Sequence, residues 1–226
     1  MDLFTYLTFA VSPVLILIGI LILKFGFSIK IMSNIWNAVF LGILCVALVY
    51  IADYAADQRF NGNVSSMKRM TFYVFVVMAF SAELMKFLAL RFAFYHRSNF
   101  LGPIEGIVYS IFIGLGYSLI AVILFSYDII GIDNNEDVLL FLYTYPIANI
   151  IFSIAMGFFV GLAKTRKISL IDNLTGLGLA TFLHGLYYFS FQTSDFSLLI
   201  ITSIGCLVIG VTLFIRAVSL RNATDD

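Results

Sequence analysis

Charge is what this chain has least of. Of 226 residues only 12% are Asp, Glu, Lys or Arg, while 62% are hydrophobic, and the mean hydropathy is +1.03. A soluble domain is nearer half apolar and about a quarter charged, so a soluble fold is excluded and a polytopic membrane protein is expected. The 13 basic and 13 acidic residues balance to zero, which argues against a nucleic-acid partner. Cysteine is scarce too: Cys45 and Cys206 both fall inside apolar runs, and two cysteines make neither a disulfide framework nor a zinc-knuckle spacing. They read as small buried hydrophobes. A basic leader is also missing. Met1-Asp2-Leu3-Phe4-Thr5 lacks the start of a secretory signal, and its apolar run reaches about Leu23, so it reads as a retained first span.

What the chain does have is long apolar runs. A spanning helix needs about 20 mostly apolar residues. That rule predicts seven transmembrane helices, near Leu3–Leu23, Ser33–Ile51, Met70–Tyr95, Leu101–Tyr127, Val138–Ala163, Ile168–Phe191 and Ser197–Val218. The fold class is therefore all-α, one integral membrane domain over residues 1–226, with no room for a separate soluble domain. The longest connections are Asp53 to Met67 and the acidic stretch Asp128 to Asp137. With the N-terminus out and the C-terminus in, the inner side holds Lys24, Lys30, Arg91, Arg97, Lys164, Arg166, Lys167, Arg216 and Arg221. The outer side holds only Arg59, Lys68 and Arg69. That orientation satisfies the positive-inside bias.

The spans differ in texture. In the fourth, Gly102, Gly106, Ser110, Gly114 and Ser118 recur every four residues; the fifth has Asn149, Ser153, Gly157 and Gly161, and the sixth has Gly176, Ala180 and His184. Small-residue stripes let helices approach closely. Spans four to six are thus expected to form a tight core, with Asn149 and His184 facing inward and spans one, two and seven peripheral.

Ionisable groups inside the spans are the candidates for function. Glu83 and Lys86 are three residues apart mid-span, so on a helix they share a face and partly neutralise each other. Each alone costs roughly 2.5–3.5 kcal/mol at a bilayer centre. His184 is the histidine inside a span, and it suits either a hydrogen bond between helices or, with Glu83, a zinc ion. Zinc hydrolysis needs about three protein ligands and a metal-bound water, and a third ligand is not evident. Glu105 and Asp172 read as solvated carboxylates near helix starts, where the dipole favours them. The Asp128 to Asp137 stretch has no calcium-loop spacing and reads as a solvated connection. Asn63-Val64-Ser65 matches a glycosylation sequon, a motif too common to be decisive. Glu83 and Lys86 would also suit a small-solute transporter, but the two halves show no repeat and no charged pathway crosses several spans.

In order along the chain, five segments resemble the PrsW family of intramembrane metalloproteases: Ala82-Glu83-Leu84-Met85-Lys86, Glu105-Gly106-Ile107-Val108-Tyr109, Gly114-Leu115-Gly116-Tyr117-Ser118, Ala148-Asn149 through Lys164, and Leu183-His184-Gly185-Leu186-Tyr187. The likeness covers roughly Thr71 to Phe191, and it implies a fold related to the CAAX-processing proteases and the Aph scaffold subunit of gamma-secretase. It also implies a site. Glu83 and His184 would be catalytic, Glu83, His184 and Asn149 would hold zinc, and Lys86 and Glu105 would support them, with helix packing through Gly106, Gly114, Gly157 and Gly161. The departures from the family are polar. The first of its paired glutamates falls on Ala82, a later Glu-Asn on Ala121 and Val122, and its span-five histidine on Asn149. An amide oxygen is a poor zinc ligand beside imidazole.

The expectation is a PrsW-like fold in a multi-pass membrane protein, in a bacterial inner membrane, with lipid around it and another membrane protein as its partner. Its metal site is degenerate, so it would be a pseudoprotease that binds or scaffolds. The rival is a divergent zinc protease that cleaves membrane-protein substrates.

Overall fold

The computed structural model describes residues 3–26, 34–60, 66–131, 138–166 and 169–225. The acidic run from Asp133 to Asp137 and the sequon Asn63-Val64-Ser65 lie outside the described residues. The described chain is helical, with no strand. Its helices are α1 (Leu3–Thr8), α2 (Val11–Gly26), α3 (Ile35–Phe60), α4 (Met67–Phe72), α5 (Ser81–Ala93), α6 (Pro103–Ser126), α7 (Val138–Thr165), α8 (Ser169–Gln192) and α9 (Phe196–Asp225). A π-helical stretch, Tyr73–Phe80, joins α4 to α5. Six units are long and apolar enough to cross a membrane: Leu3–Phe25, Ile35–Phe60, Met67–Ala93, Pro103–Ser126, Val138–Thr165 and Phe196–Ala223. The segment expected to span at Ile168–Phe191 forms the 24-residue helix α8, which is not among those six. Its run of Asp172, Asn173, Thr175 and paired glycines makes it less apolar.

α6 is the centre of the bundle. It starts at Gly102-Pro103, with proline at the first helical position, where its missing N–H is no loss. The Glu105 carboxylate accepts the Gly102 N–H at 3.0 Å. From there the small-residue stripe meets α7. A Cβ at Gly106 would overlap the carbonyl oxygen of Gly157, one at Gly157 would overlap Gly106, and one at Gly161 would lie 2.5 Å from the carbonyl oxygen of Gly102. A Cβ at Gly114 would instead overlap the Ser153 hydroxyl, with the Asn149 carbonyl oxygen 3.2 Å away. At Gly106, Gly157 and Gly161 the backbones are close enough to leave no place for side chains.

Two expectations need correcting. α3 is not peripheral: Gly42 lies against the backbone at Ile113 and Tyr117, and Gly116 lies against Val39. Residues two apart on a helix point roughly 200° apart, so in Gly114-Leu115-Gly116 one glycine admits α7 and the other admits α3. The second span was also drawn too short, because α3 continues through Asp53, Asp57 and Arg59 to Phe60. There Asp53 is not a loop residue; its carboxylate accepts a hydrogen bond from the Tyr73 hydroxyl. α2 and α9 do present broad apolar faces outward, as expected.

α8 closes the bundle on the far side of α7. Gly176 sits against Met156 and Phe159, and a Cβ at Gly185 would overlap the ring of Phe75 in the π-helical stretch. Those two contacts fix the height of α8 relative to both neighbours. Both cysteines are buried, and the Cys45 thiol donates to the Leu41 carbonyl at 3.1 Å.

Candidate functional site: a buried ionic centre

The π-helical stretch ends at Phe80, and the helix that follows carries Glu83 and Lys86 in its first turns. π-helical turns inside helices occur frequently at functional sites. Lys86 Nζ lies 2.6 Å from Glu83 Oε1. The same oxygen lies 2.8 Å from His184 Nδ1, brought in by α8. Lys86 Nζ also donates to Asn149 Oδ1 at 2.8 Å, and the Asn149 amide donates to the Tyr145 carbonyl at 3.0 Å. The Tyr145 hydroxyl lies 3.1 Å from His184 Nε2 and donates to the Tyr117 hydroxyl at 3.2 Å. The Lys86 ammonium stands 5.1 Å from the Tyr117 ring centroid, and the His184 ring stacks on Phe152 with centroids 4.9 Å apart.

Four helices therefore meet at one point: α5 with Glu83 and Lys86, α6 with Tyr117, α7 with Tyr145 and Asn149, and α8 with His184. None of these side chains is more than 1% exposed. In a medium of low dielectric an unpaired charge is very unfavourable, and here the single acid faces a lysine and a histidine at contact distance. One atom is left over. Glu83 Oε2 is buried without a hydrogen-bond partner.

The site residues expected from sequence divide cleanly. Glu83, Lys86, Asn149 and His184 are brought together. Glu105 is not: it caps the start of α6, its other oxygen lies 4.0 Å from Arg221, and twelve residues of helix, roughly 18 Å, separate it from the level of Tyr117. Neither Glu105 nor Asp172 is solvated; both are buried, and Asp172 lies 3.7 Å from Arg166. Ala82 and Ala121, where the resemblance expects carboxylates, are fully buried. Two members of the centre were not anticipated, Tyr145 and Tyr117. The available signal was spacing, since Tyr145 stands one turn before Asn149 on the same face.

This geometry defines a class: an all-helical membrane bundle organised around one buried ionic centre contributed by separate helices. The family can now be stated. The profile described as PrsW family intramembrane metalloprotease matches residues 31–218, and the chain belongs to that family. It is 29% identical over 200 residues, 86% of each chain, to the "Protease PrsW" of Oceanobacillus iheyensis. No solved structure matches. The protein is an integral, multi-pass membrane protein.

The family name implies a metal, and the donor set here does not fit one. Among the described residues no three His, Cys, Asp or Glu side chains are grouped to hold an ion. His184 has both ring nitrogens engaged, one by the carboxylate itself. The Lys86 ammonium lies 2.6 Å from Glu83 Oε1, and a divalent ion bound to the same carboxylate would face it at close range in low dielectric. What the arrangement can do chemically is hold one carboxylate oxygen between a lysine and a histidine nitrogen.

Proposed function

We propose that this chain is a PrsW-fold protein whose hydrolytic centre has become a structural one, and that it works by binding another membrane protein. The observation that carries this reading is the 2.6 Å contact between Lys86 Nζ and Glu83 Oε1. The carboxylate is taken up by the lysine and by His184, and Asn149, where the resemblance expects a histidine, turns its oxygen to the lysine. With alanine at positions 82 and 121, no carboxylate stands at either position to act as ligand or general base. The helix seams that shape the bundle are intact. A protein with the scaffold and without the ligand set suits a partner-holding role, like that of the Aph subunit, in a bacterial inner membrane. Seven spans with the N-terminus outside agree with the nine basic residues on one side against three on the other.

The second reading is a divergent zinc protease, and one atom favours it. Glu83 Oε2 is buried and unpartnered, and an orphaned carboxylate oxygen is what a ligand to a cation looks like before the cation binds. Elemental mass spectrometry of the detergent-purified protein, offered zinc and then washed, separates the two, with His184→Ala as control. The expected result is no retained zinc in either protein. Near-stoichiometric zinc that disappears in His184→Ala would sink the scaffold reading and restore the protease.

A further inference from the structure

A second cluster, at the end of the bundle where α5 and α7 finish, is built differently from the ionic centre. Tyr95 is fixed by α7: its hydroxyl donates to the Ala163 carbonyl at 3.0 Å, and its own carbonyl accepts from Lys164 Nζ at 2.9 Å. Its ring is flanked by two cations. The Arg91 guanidinium carbon lies 3.4 Å from the ring centroid, and Lys164 Nζ lies 5.0 Å from it. The other basic residues nearby have acceptors. Arg97 donates to the Ala93 carbonyl at 2.7 Å and bonds Asn34, and Arg166 lies 3.7 Å from Asp172.

Arg91 is the exception. Its guanidinium carbon lies over the Tyr95 ring, but its Nη1 is buried with no hydrogen-bond partner. Among the described residues neither Arg91 nor Lys164 has a carboxylate within ion-pair distance. A guanidinium held flat by an aromatic ring keeps its edge N–H groups aimed in one plane, the geometry that recognises a phosphate or carboxylate bidentately. Leaving such a donor buried and unmade is unfavourable, and a second unpaired cation beside it adds repulsion that an anion would relieve. The neighbouring Phe92 is 75% exposed, so the helix beside the guanidinium presents an apolar surface suited to an acyl chain. Basic pockets between spanning helices near the membrane surface are recognition sites for lipid headgroups.

We propose that Arg91, Tyr95 and Lys164 form a binding site for the phosphate of an anionic membrane lipid, with Arg91 as the principal donor, Tyr95 as the platform that orients it and Lys164 as the second charge. Nothing in this site touches Glu83 or His184, so it stands whether or not the ionic centre is catalytic.

Native mass spectrometry of the full chain released from detergent tests it, with phosphatidylglycerol or phosphatidylcholine supplied as the probe. Wild type is expected to keep phosphatidylglycerol in preference to phosphatidylcholine. Arg91→Gln lowers that retention about tenfold, the size of one charge-assisted hydrogen bond, and Lys164→Gln lowers it by a smaller factor. Lys164 is exposed, so its variant keeps the test alive if Arg91→Gln does not fold. Retention unchanged in both variants, or equal retention of the two lipids, would overturn the proposal. So would displacement of phosphatidylglycerol by millimolar inorganic phosphate, which would make the ligand a free anion rather than a lipid.

Discussion

The α6–α7 seam and the ionic centre share α6 and α7, with α5 and α8 added at the centre, yet they hold the bundle together by opposite means. At the seam, Gly106, Gly157 and Gly161 work by having no side chains, so backbone meets backbone. At the centre, Glu83, Lys86, His184 and Asn149 work only through their side chains, each satisfying the next. The seam therefore has no substitute residue, whereas the centre has several, provided that partners change together. This difference lets a fold persist while its chemistry is exchanged. A side chain in the centre can change if its partner changes with it, but nothing replaces glycine where a Cβ has no room.

Breaking the seam should have the largest effect. Gly157→Leu drives a branched side chain into the Gly106 carbonyl and the Ile107 backbone. Overpacking of this kind costs about 3 kcal/mol or more, and with backbone on the receiving side there is no rotamer to yield. The expected outcome is loss of a monodisperse peak on size exclusion in mild detergent. A variant that elutes and melts like wild type would mean that α6 and α7 are not anchored through this glycine.

The centre should break next, and in a way that can be mended. Lys86→Met leaves Glu83 buried beside a histidine alone, and removing one partner of a buried pair costs about 3–5 kcal/mol. The double variant Glu83→Gln/Lys86→Met removes both charges, and exchanging a buried pair for neutral groups is often neutral. Unfolding in mixed detergent micelles should show the double variant recovering at least half of the single variant's loss. If the double variant is no better than Lys86→Met, the charges are not coupled as their 2.6 Å separation implies.

The same contrast explains what was legible in the sequence. Intramembrane ionisable groups must find partners, so Glu83 and Lys86 could be paired from their i,i+3 spacing, and Asn149 and His184 turned inward from the stripes they sit on. That Glu83, His184 and Asn149 share one site was what the family resemblance implied. The seam was legible because a four-residue period of small residues marks one face of a helix. Tyr117 and Tyr145 were not picked out: Tyr145 stands one turn before Asn149, but in a chain that is 16% aromatic such spacing alone does not separate a hydroxyl that joins a network from a ring that only packs. α3 was missed for a related reason. Its closest approach is at Gly42 and Gly116, but much of the rest of its buried face is Ile35, Val39, Val46 and Val49, bulky aliphatics that read the same whether they face protein or lipid. The carboxylates of Asp53 and Asp57 read as the end of a span, whereas Tyr73 gives Asp53 a partner and lets α3 run on to Phe60. Arg91 counted only toward orientation, since the ring that holds it lies one turn further on.

The smallest effect should come from a glycine that belongs to neither region. Gly178 lies on α8 two residues from Gly176, so it points roughly 200° away from the packed stripe, and a Cβ there would meet nothing within 4 Å. With no close approach to protect, what remains is the entropy that glycine surrenders in a helix, up to about 1 kcal/mol relative to alanine. Gly178→Ala should therefore raise the thermal midpoint in detergent slightly, while Gly157→Ala, the same chemical change, should lower it. The pair is a stringent form of the comparison, because both replace one hydrogen by one methyl group on a helix of the same bundle. Opposite signs would assign the difference to the space the neighbouring backbone occupies. Equal signs would mean that helix propensity, and not the seam, governs glycine in this protein.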